Sequence, residues 1–245
     1  MLMMLEKDHG LTNKHIRYKQ MNLLEQSIGK IARDIPGATS VFHKYGLDFC
    51  CGGSKSLDVM IKKKGIEADP VISDLHKLID LGELSSSWNA ASKAELVVHI
   101  KNRYHDIHRV QFPELIRLSA RVEKVHADHP ACPTGLTEHL QQMLEELELH
   151  MIDEEENLFP LILAGDISKA RSIAEKLEDE HENHGRMLEI AEKMTHDISA
   201  PEDACNTWNA LYLGLRTVKL DLMQHIHLEN NVLFDQIKTE VSHNV

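Results

Sequence analysis

The sequence predicts an all-α protein, a small N-terminal helical domain followed by an up-down-up-down four-helix bundle. Four long segments between residues 93 and 239 carry an apolar residue at every third or fourth position, and short breaks separate them. Only 7 Pro and 12 Gly occur in 245 residues, which leaves long runs that a helix can occupy. Aromatic residues make up 4% of the chain, too few for the aromatic- and β-branched-rich runs that signal strands.

Taken in order, residues 1–20 read as an appendage, polar and without a periodic apolar face, and Met21 could serve as an alternative start. Residues 21–81 read as the small domain. Leu24, Ile28, Ile31 and Ile35 keep helical spacing until Pro36-Gly37 stops it. A second short helix, from Ala38 to Tyr45, ends at Gly46. Gly52-Gly53-Ser54 makes a turn, after which Leu57, Met60 and Ile61 begin a third helix. Asp69-Pro70 predicts another break, with a fourth helix from Val71 to Leu81. Residues 82–92, with three consecutive serines, read as a linker.

The bundle spans 93–241 and consists of segments A (about 93–126), B (134–163), C (168–196) and D (202–239). Breaks at Asp128–Pro133, Ala164–Asp166 and Ser199–Pro201 are short, and short connections between long helices give antiparallel neighbours. Segment B runs Leu136, Leu140, Met143, Leu147, His150, Glu154, Leu158, Leu161 along one face. Segment D runs Trp208, Leu211, Leu215, Val218, Leu222, His225, Glu229, Leu233, Ile237. In both, a His and a Glu stand where the stripe demands apolar side chains.

Those interruptions repeat. His150, Glu154, Leu158, Phe159 and His225, Glu229, Leu233, Phe234 share His-x-x-x-Glu-x-x-x-Leu-Phe at an offset of 75 residues. Tyr104-His105-Asp106-Ile107-His108 echoes Glu180-His181-Glu182-Asn183-His184 at an offset of 76. Two related hairpins, A–B and C–D, would bring the His-x-x-x-Glu pairs face to face. Residues four apart share a helix face, so each pair can hold a cation. Burying two carboxylates without a counter-charge costs several kcal/mol each, which divalent cations remove. Four histidines and two glutamates suit a dinuclear site with cations roughly 3.5–4 Å apart. The set holds no thiolate, so iron or manganese fits better than structural zinc. Spacing alone does not separate His105 from His108, or His181 from His184. His126 lies 21 residues beyond His105, about 31 Å along a straight helix, so it falls outside the cluster. His99, His126, His129, His139 and His227 are expected in solvated or capping roles.

Charge and cysteines narrow the class further. A net charge of −12 weighs against a nucleic-acid-binding surface. No apolar run approaches the roughly 18 residues of a membrane span, and the acidic start is unlike a secretory signal, so a cytoplasmic protein without membrane contact is expected. Cys50, Cys51, Cys132 and Cys205 give no disulfide framework. Neighbouring Cys50 and Cys51 could form only a strained, easily reduced disulfide. Flanking glycines would leave these thiols accessible, and a helix start near Ser54–Ser56 would lower a thiol pKa. An apolar face on the small domain would allow a homodimer.

The run Asp48-Phe49-Cys50-Cys51-Gly52-Gly53, followed by a bundle bearing both His-x-x-x-Glu pairs, resembles the di-iron iron-sulfur cluster repair proteins, the RIC, YtfE or ScdA family, over residues 21–239. The bundle alone is hemerythrin-like. The resemblance implies a cytoplasmic, stress-induced protein that restores iron-sulfur clusters damaged by nitric oxide or peroxide. It implies a non-haem centre of two Fe ions, bridged by carboxylates and with room for an oxo bridge. Its ligands would be His105, His150, Glu154, His181, His225 and Glu229, with Glu154 and Glu229 bridging. Glu146 and Glu180 would line a route to the metals, and Cys50-Cys51 would be a redox or iron- and nitrosyl-handling pair. The partners implied are damaged iron-sulfur proteins, with NO or O2 as small ligands. Iron supply to damaged clusters is the first function implied. Reduction of nitric oxide to nitrous oxide at the diferrous site, or hemerythrin-like binding or sensing of O2 or NO, are the alternatives.

Overall fold

A computed structural model describes residues 22–35, 37–81, 88 and 91–242. The appendage over 1–20, Met21 and most of the linker over 82–92 lie outside the described residues. The protein is all-α, and its described residues contain no named strand; an isolated antiparallel bridge joins Ser27 to Ser56. The chain forms two compact units, the second beginning at Ser92, with Asn230–Val232 grouped with the first.

In the first unit a 3-10 turn, Leu23–Glu25, precedes α1 (Ile28–Asp34), α2 (Ala38–Lys44), α3 (Leu57–Lys64) and α4 (Ala68–Leu81). The first helix starts later than the apolar spacing predicts. Ser27 caps it, with Oγ accepting from the Lys30 N–H, and Leu23 rather than Leu24 is buried. Gly46 ends α2 in the left-handed region at φ 62°, as expected, and the Leu47 N–H donates back to the Phe42 carbonyl. Asp69-Pro70 does not break the chain. Pro70 falls in the first turn of α4, where its missing N–H would have had no helical partner. Ile28, Ile31, Phe42, Leu57, Val71 and Leu75 are fully buried at the centre of this unit.

The second unit contains the four long segments. Segment A is α5 (Lys93–Ile100), a π turn (Lys101–His105) and α6 (Asp106–Val125). Segment B is α7 (Leu136–Asp153), a π turn (Glu154–Leu158) and α8 (Phe159–Ala164). Segment C is one helix, α9 (Ile167–Met194). Segment D is α10 (Asn206–Leu228), a π turn (Glu229–Leu233) and α11 (Phe234–Ser242). A packs on B and D, and C packs on B and D, which closes a four-helix bundle. Ser92 and Glu95 form a reciprocal capping box at the start of α5. Pro113 lies inside α6, and the helix continues past it. Beyond α9, His196, Asp197 and Ile198 take φ of 50°, 57° and 55°, a left-handed turn held by Thr195 Oγ1 accepting from the Ile198 N–H.

The apolar stripes lie inside the bundle, with one shift. Leu136, Leu140, Met143, Leu147 and Leu158 are buried, but Ile162 takes the place expected for Leu161, which is partly exposed. The π turn over Glu154–Leu158 adds a residue to the register ahead of it. Phe112 is fully buried between segments. We expect Phe112→Ala to destabilise the bundle by about 3–5 kcal/mol, read as a lower urea midpoint. No helix among the described residues is long and apolar enough to cross a membrane.

Candidate metal centre

All six side chains that spacing and resemblance single out converge in the bundle. His105, His150, Glu154, His181, His225 and Glu229 are each no more than 2% exposed. Glu154 opens the π turn of segment B, Glu229 opens that of D, and His105 closes that of A. Such wide turns commonly mark functional sites because they re-aim side chains within a helix.

The donor atoms form two sets. His105, Glu154, His225 and Glu229 make one, and His150, Glu154, His181 and Glu229 the other, with the donor atoms of each set within 4.8 Å of one another. Both glutamates belong to both sets. His108 and His184 belong to neither, although spacing alone left them eligible.

The separations are those of groups gathered around cations. His105 Nε2 and His225 Nε2 are 3.1 Å apart, and His150 Nε2 and His181 Nε2 are 2.9 Å apart. Two imidazole nitrogens at right angles, each about 2.1 Å from one cation, stand about 3 Å apart. His225 Nε2 lies 2.8 Å from Glu229 Oε1, His181 Nε2 3.2 Å from Glu229 Oε2, and His105 Nε2 3.4 Å from Glu154 Oε2. Despite these approaches, none of the four carboxylate oxygens has an aligned hydrogen-bond partner in the described structure. Buried polar atoms are normally satisfied, so four orphaned oxygens facing imidazole nitrogens fit a cation-binding role.

The outer ring nitrogens show the same design. His105 Nδ1 lies 2.8 Å from Glu155 Oε1, which also accepts from Arg109. His150 Nδ1 lies 3.0 Å from Glu180 Oε2. An Nδ1–H donated outward leaves the Nε2 lone pair aimed inward and fixes the ring. Aromatic rings close the walls. Phe159 stacks on His105 at 5.7 Å, Phe234 on His181 at 6.0 Å, and Tyr104 on His225 at 5.2 Å. The repeated phenylalanine thus covers, in each hairpin, the histidine of the other helix in that hairpin.

Without a cation, the charges settle unevenly. Burial opposes a charged His105, but Glu154 and Glu229 beside it outweigh burial and raise it to about 10. Burial likewise works against an ionised Glu229, yet His225, His105 and His181 hold its carboxyl well below the usual range. Burial lowers His225. Burial and the neighbouring ring of His225 lower His108 to about 3, and burial and His150 do the same to His184.

Comparison with known proteins agrees with this geometry. A family model described as the hemerythrin HHE cation binding domain matches residues 96–237, and ScdA_N, a domain of unknown function, matches residues 24–79. The iron-sulfur cluster repair protein YtfE of Dickeya chrysanthemi (strain Ech1591) is 43% identical over 214 residues, 87% of this chain and 97% of that protein. The proteins of the same name in Escherichia coli O1:K1 and Escherichia fergusonii are each 43% identical over 210 residues, 86% of this chain and 95% of theirs. The chain belongs to the YtfE family of iron-sulfur cluster repair proteins. Its second unit is therefore a cation-binding HHE domain of a YtfE-family protein.

Other predicted positions of this YtfE-family chain fall as follows. Glu180 contacts His150 directly, and that contact lowers its carboxyl to about 2. Glu146 contacts Asn183 and Gln142. His108 and His184 lie against ligand rings, at 5.3 Å from His225 and 4.8 Å from His150, while Glu155 and Glu180 hold Nδ1 atoms. His227, expected in a solvated or capping role, is 2% exposed, because segment D buries Met223 and every residue from His225 to Leu228. His126 Nε2 lies 3.2 Å from Cys205 Sγ, at the opposite end of α6 from His105. Sequence reading missed Glu155, Arg109 and the ring role of Tyr104. The run Glu154-Glu155-Glu156 was the available signal for the first, but helical spacing points Glu155 away from the stripe.

Cys50 and Cys51 differ from expectation in two respects. Cys50 is 5% exposed rather than accessible, and only Cys51 is partly exposed. The Cys50 thiol is pushed well up rather than down, by its contact with Cys51, by burial and by the Asp48 carboxylate. The helix start that was to lower it is capped by Ser56, and the sulfur faces Asp48 instead.

Proposed function

We propose that this chain holds two iron ions in the bundle and supplies iron to iron-sulfur clusters damaged by nitrosative or oxidative stress. The observation that carries the reading is the sharing of Glu154 and Glu229 between two buried donor sets, each completed by two histidines. Relatives covering nearly their whole length are named iron-sulfur cluster repair proteins. That sharing supports a reading in which His105, His150, His181 and His225 would hold the ions, with Glu154 and Glu229 as ligands common to both. When bound, the iron pair supplies redox-active, exchangeable ferrous ions.

The protein's own residues set how firmly those ions are held. Glu155 and Glu180 orient His105 and His150 by accepting their Nδ1–H protons. Glu180 reaches solvent, with its side chain 38% exposed, so it joins His150 to the surface and serves, with Glu146, as a route for leaving ions. The recipients are damaged iron-sulfur proteins. To test this, reduced, iron-loaded protein is mixed without oxygen with a nitric-oxide-damaged [4Fe–4S] enzyme. Recovery of that enzyme's activity is expected with the wild type, and no recovery above the no-protein control is expected with Glu229→Gln. Equal recovery by both would end the reading.

A second reading rests on ligand count. Each set offers four protein donors, fewer than six-coordinate iron takes, which leaves positions for NO or O2. Nitric oxide reduction is tested by headspace nitrous oxide over many turnovers with a reductant.

A further inference from the structure

The first unit carries a donor cluster that the bundle does not use. Asp48, Cys50 and Cys51 bring one carboxylate oxygen and two sulfurs within 4.8 Å of one another. We propose that these three side chains form a separate site for a single thiophilic divalent cation, with Asp48 as the third donor beside the two thiolates.

Three observations support it. The sulfurs of Cys50 and Cys51 are 3.7 Å apart, although the residues are neighbours in the chain. Two thiolates on one tetrahedral cation at about 2.3 Å stand about 3.7–3.8 Å apart, so the pair already spans a coordination edge. Asp48 Oδ1 lies 3.2 Å from Cys50 Sγ, on the same side of the turn.

Second, the carboxylate is held in place. Its oxygens accept from the main-chain N–H groups of Cys50, Cys51 and Gly52 at 3.1, 3.0 and 2.9 Å. Main-chain donors orient a ligand carboxylate without neutralising it. The fit explains Gly52, since a Cβ there would come within 2.9 Å of the Asp48 carbonyl oxygen.

Third, the chemistry selects a class of cation. Two thiolates and one carboxylate favour zinc-, ferrous- or cobalt-like ions over magnesium or calcium. Three donors leave a fourth tetrahedral position open, the arrangement of exchangeable rather than structural sites. Cys51 is partly exposed, which lets an aqueous cation reach the pair. Binding replaces two S–H bonds by two S–metal bonds and releases two protons to water, with no change of oxidation state.

The probe is Co2+, added to the reduced full-length chain without oxygen. The bundle set has no sulfur, so a thiolate-to-cobalt charge-transfer band reports cysteine ligation alone. We expect that band in the wild type and in Cys132→Ser/Cys205→Ser, with about two protons released per cobalt at the site. Cys51→Ser and Cys50→Ser should each abolish it, and Asp48→Asn should raise the half-saturating cobalt concentration at least about tenfold. Asp48→Asn also alters a turn, so far-ultraviolet circular dichroism accompanies it, and Cys51→Ser at the partly exposed position tests the site without touching that turn. Absence of the band in the wild type at excess cobalt overturns the proposal. A band that survives Cys50→Ser/Cys51→Ser, or an Asp48→Asn titration that matches the wild type, overturns it too.

Discussion

Glu154→Gln and Glu229→Gln should each lower metal content to at most one ion per chain, and the double variant should retain none after desalting. Both glutamates stand in both donor sets, so either substitution weakens two cations at once. A glutamine keeps the shape but offers a neutral oxygen in place of an anionic one, in a site where no other carboxylate is fully buried. The expected loss of affinity is about 100-fold or more, equivalent to about 2.7 kcal/mol. The metal-free fold responds differently at the two positions. Glu229 compensates His105, His181 and His225, so its loss should destabilise the metal-free bundle by a few kcal/mol, on the order of the cost of breaking a buried pair. Glu154 faces His105 at 3.4 Å and His150 at 3.6 Å, so the metal-free Glu154→Gln protein should also be destabilised, but less than Glu229→Gln, because Glu229 makes the closer contacts with His181 and His225. Metal analysis after desalting and thermal melts of stripped protein check both. Two retained ions in the double variant would exclude the shared-carboxylate centre.

The second large effect is a pH dependence that metal removes. In the metal-free bundle His105 is raised to about 10, from an unfolded value near 6.5. A raised folded value gives stability that is fully present below about pH 6.5 and is lost as pH rises through about 10. The carboxyl of Glu229 is depressed, so its contribution is present above about pH 4.5 and is lost as pH falls. His108, His184 and His225 are lowered, so they stay neutral in the fold and cost stability as pH falls below about 6.5. Metal-free protein should therefore be most stable at about pH 7, and on raising the pH to 10 it should lose on the order of 3–4 kcal/mol. His105→Gln should flatten the alkaline limb. Loading a cation requires His105 to give up its proton, so loading at pH 7 should release it, and loaded protein should show no alkaline decline over the same range. Cation binding to the folded state alone should add about 4 kcal/mol at a free-metal concentration 1,000 times the dissociation constant. Melts of stripped and loaded protein across pH 5–10 read these effects together.

Much of the centre was legible in the chain because polar residues at buried helical positions are costly. His150, Glu154, His225 and Glu229 interrupt apolar stripes that are otherwise buried from Leu136 to Leu158 and from Trp208 to Ile237. A repeat of that interruption 75 residues later made a chance satisfied histidine a poor explanation. His105 and His181 were less legible, since each has a second histidine three residues on, and only packing shows that the second belongs to neither donor set. Glu155 and Glu180 act across helices, on His105 and His150, and sequence spacing carries no information about such pairs.

By itself the sequence determined the all-α class, the four segments and their breaks, and the positions where a buried charge needs a counter-charge, because helical period and burial cost are local properties. Only the tertiary structure decided which histidines face each other, and that both carboxylates serve two donor sets. It likewise decided that π turns in three segments re-aim the side chains, and that the sulfur of Cys50 lies buried against Asp48. Those outcomes depend on the rotation of each helix about its axis and on neighbours far away in the chain. The interlocking of close-packed side chains sets both.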